Sequence, residues 1–406
     1  MRQFFLLLGI IFIGFIGISL PYALFGPMFL QPENFSFLPV DYSENERIFW
    51  LGITLAVYPL GMFVGSPLLG GLSDAYGRKK VLVMSLFLTA VGCFVTGVSL
   101  SVNSLSLLIL SRFVTGISEG NIAIARAMVQ DLSKNGGPSL HSGLGKINAA
   151  ASIAYIVGPL IGGLFSTTFV SLPFYLSAVM TFGVLVLSMK LLEETRQVQA
   201  RKFTFKELNF FGPIVRLYRM DALRSILVCS TLFTLAVDAF YQFFPVYLAS
   251  LSFLPVVIAG LNGSLSLALA IGNGVLPQVL AKYFSNRRLI IGGSILFAVW
   301  LFLFCFQDTV HWLAVLLVCC GLSLSMATVN YSVELSNRAD NEIQGQAFGV
   351  LMGMRTFGDA SICLIGTACM LSAAHMPLLV ASFVALFSVG YFRQRGQEGI
   401  QERGQA

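Results

Sequence analysis

The 406-residue sequence predicts an all-α membrane protein: twelve transmembrane helices in two pseudo-symmetric six-helix bundles. Three observations predict it. Hydrophobic residues make up 56% of the chain and charged ones only 11%, well below the roughly 25% charged residues of a water-facing domain. Turn signals divide the chain into long apolar windows, each close to the roughly 20 residues that cross hydrocarbon. The basic residues collect on alternate connections between those windows. This composition excludes a soluble enzyme, a soluble nucleic-acid binder and a disordered chain. The windows lack the alternation of barrel strands, and a backbone in lipid must satisfy its own hydrogen bonds, so they are read as helices.

Span 1 covers about 4–30. Its apolar stretch outruns a signal-peptide core, and Pro27-Met28-Phe29-Leu30 offers no small-residue cleavage site, so it is expected to remain as an anchor. The 31–46 connection carries Glu33, Asp41, Glu44 and Glu46 and is expected to be a surface feature without chemistry. Spans 2 to 6 follow at about 47–71, 80–101, 104–131, 143–166 and 171–192. Next comes the one long polar connection, 193–222, which is basic and amphipathic through Phe203, Phe205, Leu208, Phe210 and Phe211. Spans 7 to 12 follow at about 223–250, 255–281, 288–306, 311–335, 345–372 and 375–392. The expected division is an N-terminal bundle at 1–192, a linker at 193–222, and a C-terminal bundle with a short tail at 223–406.

All but four of the 25 Lys and Arg residues fall in the even-numbered connections and the two ends. The exceptions are Arg47, in an odd-numbered connection, and Arg112, Arg126 and Arg355 inside spans. The positive-inside bias therefore places both termini and the linker in the cytoplasm. The basic loops are read as topology signals and lipid contacts, not as a nucleic-acid surface.

The seven cysteines all fall in spans and match no zinc or redox spacing. No Walker-type Gly-x-x-x-x-Gly-Lys-Ser/Thr is present, and no haem or iron–sulfur spacing, so no cofactor or metal is expected. A shift of 208 residues superposes Gly77–Val81 on Ser285–Leu289, a basic turn after spans 2 and 8, and Gly158 on Gly366. That is the mark of two related halves.

Three motifs then lie in order on the right spans. They are Gly70-Gly71-Leu72-Ser73-Asp74-Ala75-Tyr76-Gly77-Arg78-Lys79 between spans 2 and 3, Arg112-Phe-Val-Thr-Gly116 in span 4, and Gly158-Pro159-Leu-Ile-Gly162-Gly163 in span 5. Together they resemble the signatures of the major facilitator superfamily, and the whole chain is most similar to twelve-helix drug:proton antiporters of the tetracycline-exporter kind. The resemblance implies a secondary active transporter of a bacterial inner membrane, monomeric, not an enzyme, with a small-molecule substrate, protons and membrane lipid as partners. Proton-coupled efflux is the leading reading. Proton-coupled movement of a metabolite or siderophore-like compound, or a non-transporting scaffold or sensor, are the alternatives.

In the loop motif, Gly70 and Gly77 permit a tight turn, and Arg78 is placed to pair with Asp74 and with Asp131 at the end of span 4. The resemblance implies that Asp74 caps span 11 and that the cluster gates; simple topology is the other reading. Pro159 sits inside span 5 among Gly158, Gly162 and Gly163, which suits either a kinked gating helix or a static packing face. In span 4, Arg112, Glu119 and Arg126 are seven apart and fall on one stripe of a continuous helix. Charge inside a membrane is costly and faces the protein interior or water. Glu119 with Arg112 is accordingly a proton-coupling candidate, or a static ion pair.

Asp238 in span 7 shares a face with Tyr241 and Gln242 and is a second candidate. Arg355 and Asp359 in span 11 are four apart, a local salt bridge or part of the same chemistry. Tyr22, Tyr58, Asn148, Tyr155, Asn262, Asn330 and Tyr331 lie at mid-span depth as candidate substrate contacts, with Tyr241, Gln242 and Arg355. An aromatic lining with few polar groups suits an amphipathic ligand.

Overall fold

A computed structural model of the chain describes residues 2–35, 37–134, 140–166, 169–195, 211–339 and 344–404. Among them there are helices and no strands. Span 1 is built from α1 (Arg2–Ser19), a 3-10 turn (Leu20–Ala23) and α2 (Phe25–Leu30). Spans 2 and 3 are α3 (Glu44–Tyr76) and α4 (Arg78–Ser101), and span 4 is α5 (Leu105–Ser118) plus α6 (Asn121–Lys134). Spans 5 and 6 are α7 (Leu140–Phe165) and α8 (Leu172–Leu191), and a short α9 (Phe211–Tyr218) lies in the linker. Spans 7 to 12 are α10 (Asp221–Ser250), α11 (Pro255–Leu280), α12 (Asn286–Phe304), α13 (Val310–Arg338), α14 (Gln344–Met370) and α15 (Met376–Gly404). Helices thus stand at all twelve expected positions. Ten are long and apolar enough to cross a membrane among the described residues, and Ala149–Phe165 of α7 is a shorter apolar helix.

The interruptions have local causes. Pro21 stands at the start of the 3-10 turn in span 1, where its ring removes a helical donor. Between α3 and α4 the chain reverses at one residue, Gly77, with φ 99°, a conformation that a Cβ disfavours. Span 4 breaks at Glu119–Gly120, where short-range bonds from Gly120 N–H to Ile117 O and from Ile122 N–H to Glu119 O replace the regular pattern. Its Ser-Glu-Gly-Asn run contains poor helix formers. Arg112, Glu119 and Arg126 therefore do not share one continuous helical stripe, a correction to the spacing argument.

The chain forms two compact units. The first comprises Met1–Leu208 with Leu248–Gly263, the second Asn209–Tyr247 with Ser264–Ala406. In the first, Phe4, Leu7 and Ile11 of α1 pack with Leu82 and Leu86 of α4 and with Ile124 and Met128 of α6. The end of α10 and the start of α11 join this unit through Gln31, whose amide donates to the carbonyls of Ala249 (2.9 Å) and Phe253 (3.0 Å). In the second, Phe233, Phe240, Phe297 and Phe304 are fully buried, with Phe297 edge-on to both Phe233 and Phe240. Large apolar side chains such as Phe182, Leu267, Trp312, Phe383 and Phe387 are exposed, as lipid-facing residues should be.

The 31–46 connection is more than surface. Its four acids are exposed, but Phe37 and Leu38 are buried, and the chain folds around Arg47. That buried guanidinium donates to the carbonyls of Phe29 (3.4 Å), Pro39 (2.6 Å) and Tyr42 (3.1 Å). Arg47→Ala removes all three donors, at a cost of about 1–3 kcal/mol for each buried carbonyl left unpaired. Limited proteolysis of the purified variant is expected to cut within 31–46 faster than in the parent, while the rest of the chain stays resistant.

Candidate functional site

Glu119 lies at the break in span 4, next to the stretch where α5 and α3 approach backbone to backbone. A Cβ on Gly65 would fall on the carbonyl oxygen of Ile117, one on Gly61 on that of Phe113, and one on Gly116 on that of Tyr58. Gly120 sits equally close to Gly65 and Ser66. Two Gly-x-x-x-Gly pairs thus interlock, and they bring Tyr58 of α3 onto Glu119.

The Tyr58 hydroxyl donates to Glu119 Oε2. Its ring lies under the Arg112 guanidinium, 4.1 Å from the carbon to the ring centroid, with the Phe25 ring at 5.8 Å. Such cation–π contacts are strongest when desolvated, and here Glu119 is 1% exposed and Arg112 4%. Arg112 Nε has no hydrogen-bond partner among the described residues. On the other side, a Cβ on Gly17 of α1 would stand 3.0 Å from Glu119 Oε1, so α1 closes over the carboxyl. The same phenol thus touches both charged groups: its ring face meets the Arg112 guanidinium and its hydroxyl meets the Glu119 carboxyl.

Aromatic residues adjoin this group within the same unit. Tyr22 and Tyr155 are stacked at 6.2 Å, and Phe15 lies 5.7 Å from Tyr155. Arg126 covers the Phe15 ring at 5.9 Å. The Asn262 amide donates to the Tyr155 carbonyl at 2.8 Å. The side chain of Asn148 lies outside the described residues.

The second unit carries another charged group. Asp238 of α10 is 2% exposed, and its Oδ1 accepts both Nε (3.1 Å) and Nη2 (2.8 Å) of Arg355 on α14. Asp359 interacts electrostatically with both. Arg355 thus spans helices to Asp238, which four-residue spacing on one helix did not indicate. Tyr241 and Gln242 are half-buried near Asp238 in sequence. Asn330 donates to the Met326 carbonyl of its own helix (2.6 Å). Tyr331 stacks on Phe233 at 5.2 Å with Phe392 behind it. Both are built into the interior of this unit.

At the loop motif, Arg78 pairs with Asp74 (2.8 Å) and Asp131 (3.2 Å) and donates to Ser73 Oγ (3.0 Å). The α4 N-terminus, with its unsatisfied N–H groups, is capped by Glu194. That carboxylate accepts from the amides of Arg78 (2.9 Å) and Lys79 (3.0 Å). Thr195 adds a bond to Asp131 (3.3 Å). A Cβ on Gly70 would meet nothing within 4 Å. The residues just ahead of span 11, 340–343, and the side chains of its first turns, 344–349, lie outside the described residues, and the expected capping by Asp74 falls there.

In α7 the helix continues through Pro159. A Cβ on Gly158 would strike Ser19, one on Gly162 the carbonyl of Leu20, and one on Gly163 Pro255 and Ala259. Ser19 Oγ in turn donates to the Ala154 carbonyl at 3.1 Å. In the second unit, Gly366 of span 11 likewise packs on Phe243 of span 7. The glycines matched by the 208-residue shift thus both seat against the first span of their own half.

The Major Facilitator Superfamily model matches residues 4–362. The chain belongs to the Major Facilitator Superfamily. It is accordingly a multi-pass membrane transporter and not an enzyme. Multidrug resistance protein 2 of Bacillus subtilis (strain 168) is 26% identical over 401 residues, covering 95% of this chain and 93% of that protein. Tetracycline resistance protein, class C, of Escherichia coli is 26% identical over 324 residues, covering 78% and 79%. The crystal structure of the POT family transporter PepTSo aligns at a TM-score of 0.75 with 12% identity, covering 98% of each chain, a likeness of fold.

For this superfamily member, sequence reasoning named Arg112, Glu119 and Tyr58 but assigned Tyr58 to substrate, with no sign that it sits on the acid. The paired Gly-x-x-x-Gly spacings at 61–65 and 116–120 were the signal that spans 2 and 4 touch. Glu194 and Thr195 were missed, because nothing in a charged linker shows which residue folds back on a distant helix end.

Proposed function

We propose that this superfamily member exports a small amphipathic molecule in exchange for protons, by alternating movement of its two six-helix bundles, 1–192 and 223–406. Both termini would then be cytoplasmic. The observation that carries the proposal is the Arg112–Tyr58–Glu119 group. A carboxyl that is buried and hydrogen-bonded to one neutral hydroxyl, on whose ring the Arg112 guanidinium rests, is held by few partners. Such a group takes or loses a proton when its surroundings change. Resistance proteins among the relatives support export. The Arg78–Asp74–Asp131 cluster, bound at its base by Glu194, supports a gate at the cytoplasmic end.

The test is a proton measurement in energised inverted vesicles. Adding a transported compound is expected to dissipate an imposed pH gradient in vesicles bearing the protein, and not in vesicles without it. Compound movement with no proton movement would end the antiport reading. Movement in the direction of uptake would reverse the assigned direction.

A further inference from the structure

Span 1 carries a row of rings, and each holds a cation from another span of the first unit. Lys146 Nζ of α7 lies 5.4 Å from the centroid of Phe4, the Arg126 guanidinium of α6 lies 5.9 Å from that of Phe15, and the Arg112 guanidinium of α5 lies 5.8 Å from that of Phe25. Phe4 and Phe15 both stand on α1, roughly three turns apart, so they share a face. Phe25 follows beyond the 3-10 turn. The cations thus follow span 1 from its start to the Arg112–Tyr58–Glu119 group.

Charge in this unit is lopsided. At one end Asp74 and Asp131 pair with Arg78, and at the other Arg47 rests on backbone carbonyls. Between those ends, spans 1 to 6 hold one acid, Glu119, against Arg112 and Arg126, with Lys146 at the entry to the row. A ring attracts a cation through its quadrupole but brings no net charge, so the positive excess stands. Arg126 is partly exposed, and a charge at that depth turns to a polar chamber and not to lipid. Its ring, Phe15, meets Tyr155 at 5.7 Å, and Tyr155 meets Tyr22 at 6.2 Å. The guanidinium therefore ends a continuous aromatic surface.

We infer that the molecule carried is an amphipathic monovalent anion, its negative group paired with Arg126 and its apolar body beside Phe15, Tyr155 and Tyr22. The inference rests on the transport reading, for which it names a substrate class. A guanidinium offers a carboxylate or sulfonate two parallel donors. Lys146 draws the anion toward the row, and the same excess of charge repels an organic cation.

Equilibrium dialysis of the purified full chain in nonionic detergent, against protein-free micelles, compares anilinonaphthalene sulfonate with phenylnaphthylamine, the same body without the sulfonate. The parent is expected to bind the sulfonate saturably, and about tenfold or more tighter than the uncharged compound. Arg126→Gln is expected to remove that preference and to leave phenylnaphthylamine binding unchanged. Arg126→Lys is expected to restore part of it, since charge returns without the planar fork. Lys146→Gln is expected to weaken sulfonate binding by a smaller factor, and more so at low salt. Arg288→Gln, which removes an exposed cation of the second unit, is expected to change neither compound.

Four results would overturn the inference: no saturable sulfonate binding, equal affinity for the two compounds, a sulfonate preference that survives in Arg126→Gln, or loss of both compounds by that variant at the parent's thermal midpoint. If the Arg126 variants fail to fold, Lys146→Gln decides, and an unchanged sulfonate affinity at low salt counts against the anion. Sulfonate binding that depends on Arg126, together with no proton movement in vesicles, would sink the antiport proposal while leaving the anion seat in place. Proton movement driven equally by the charged and uncharged compounds would do the reverse.

Discussion

Glu119→Gln is expected to reduce gradient-driven transport to the background of protein-free vesicles while leaving expression and thermal midpoint close to those of the parent. The amide keeps the shape of the carboxyl and still accepts from Tyr58, so the packing against Gly17 survives and the exchangeable proton does not. Tyr58→Phe is the informative companion. It keeps the ring under Arg112, which supplies the cation–π contact, and removes the donor to Glu119. A buried carboxyl oxygen without its donor costs about 1–3 kcal/mol, and it is the ionised form that loses more. The Tyr58→Phe variant should therefore still transport, but with a displaced pH profile. A static role for the pair would lower the melting temperature of both variants and leave the pH profile where it was. Full activity of Glu119→Gln would move the proton site elsewhere, with Asp238 and Asp359 the next groups to examine.

Gly65→Ala is expected to be the most damaging small substitution in the chain. Its methyl group would land on the Ile117 backbone carbonyl, and backbone cannot rotate away as a side chain can. Overpacking typically costs about 1–3 kcal/mol, and a clash with main chain lies at or beyond the upper end. Separation of α3 from α5 would also pull Tyr58 off Glu119. The expected readout is a lowered thermal midpoint in detergent with loss of the monodisperse peak. Gly70→Ala is the matched control: the same change, one and a half turns along the same helix, into open space, with no expected shift. Equal behaviour of the two variants would mean that spans 2 and 4 do not touch through these glycines.

Much of this protein was legible one residue at a time. Each span had to satisfy its own backbone hydrogen bonds in lipid, so length and hydropathy alone indicated helices at the observed positions. Gly77 announced the reversal between spans 2 and 3, and Arg78, Asp74 and Asp131 were named as partners because opposite charges beside one tight turn have few other places to go. The break in span 4 was not anticipated, although Gly120-Asn121 after an acid was its local trace; an even spacing of charges is persuasive only while the helix is continuous.

What the sequence determined by itself is the set of quantities that add up along the chain: the helical character and order of the apolar segments, the two-half repeat, the motifs of the superfamily, and the presence of acids and guanidinium groups within apolar segments. What only the tertiary structure decided is which of those groups meet. Tyr58 meets Glu119 because four glycines let two backbones touch, Arg355 reaches Asp238 across two helices, and Glu194 folds back on the start of α4. Hydrophobicity is a sum over local residues, whereas a side-chain contact depends on the crossing and separation of helices far apart in the chain, and those are settled by packing.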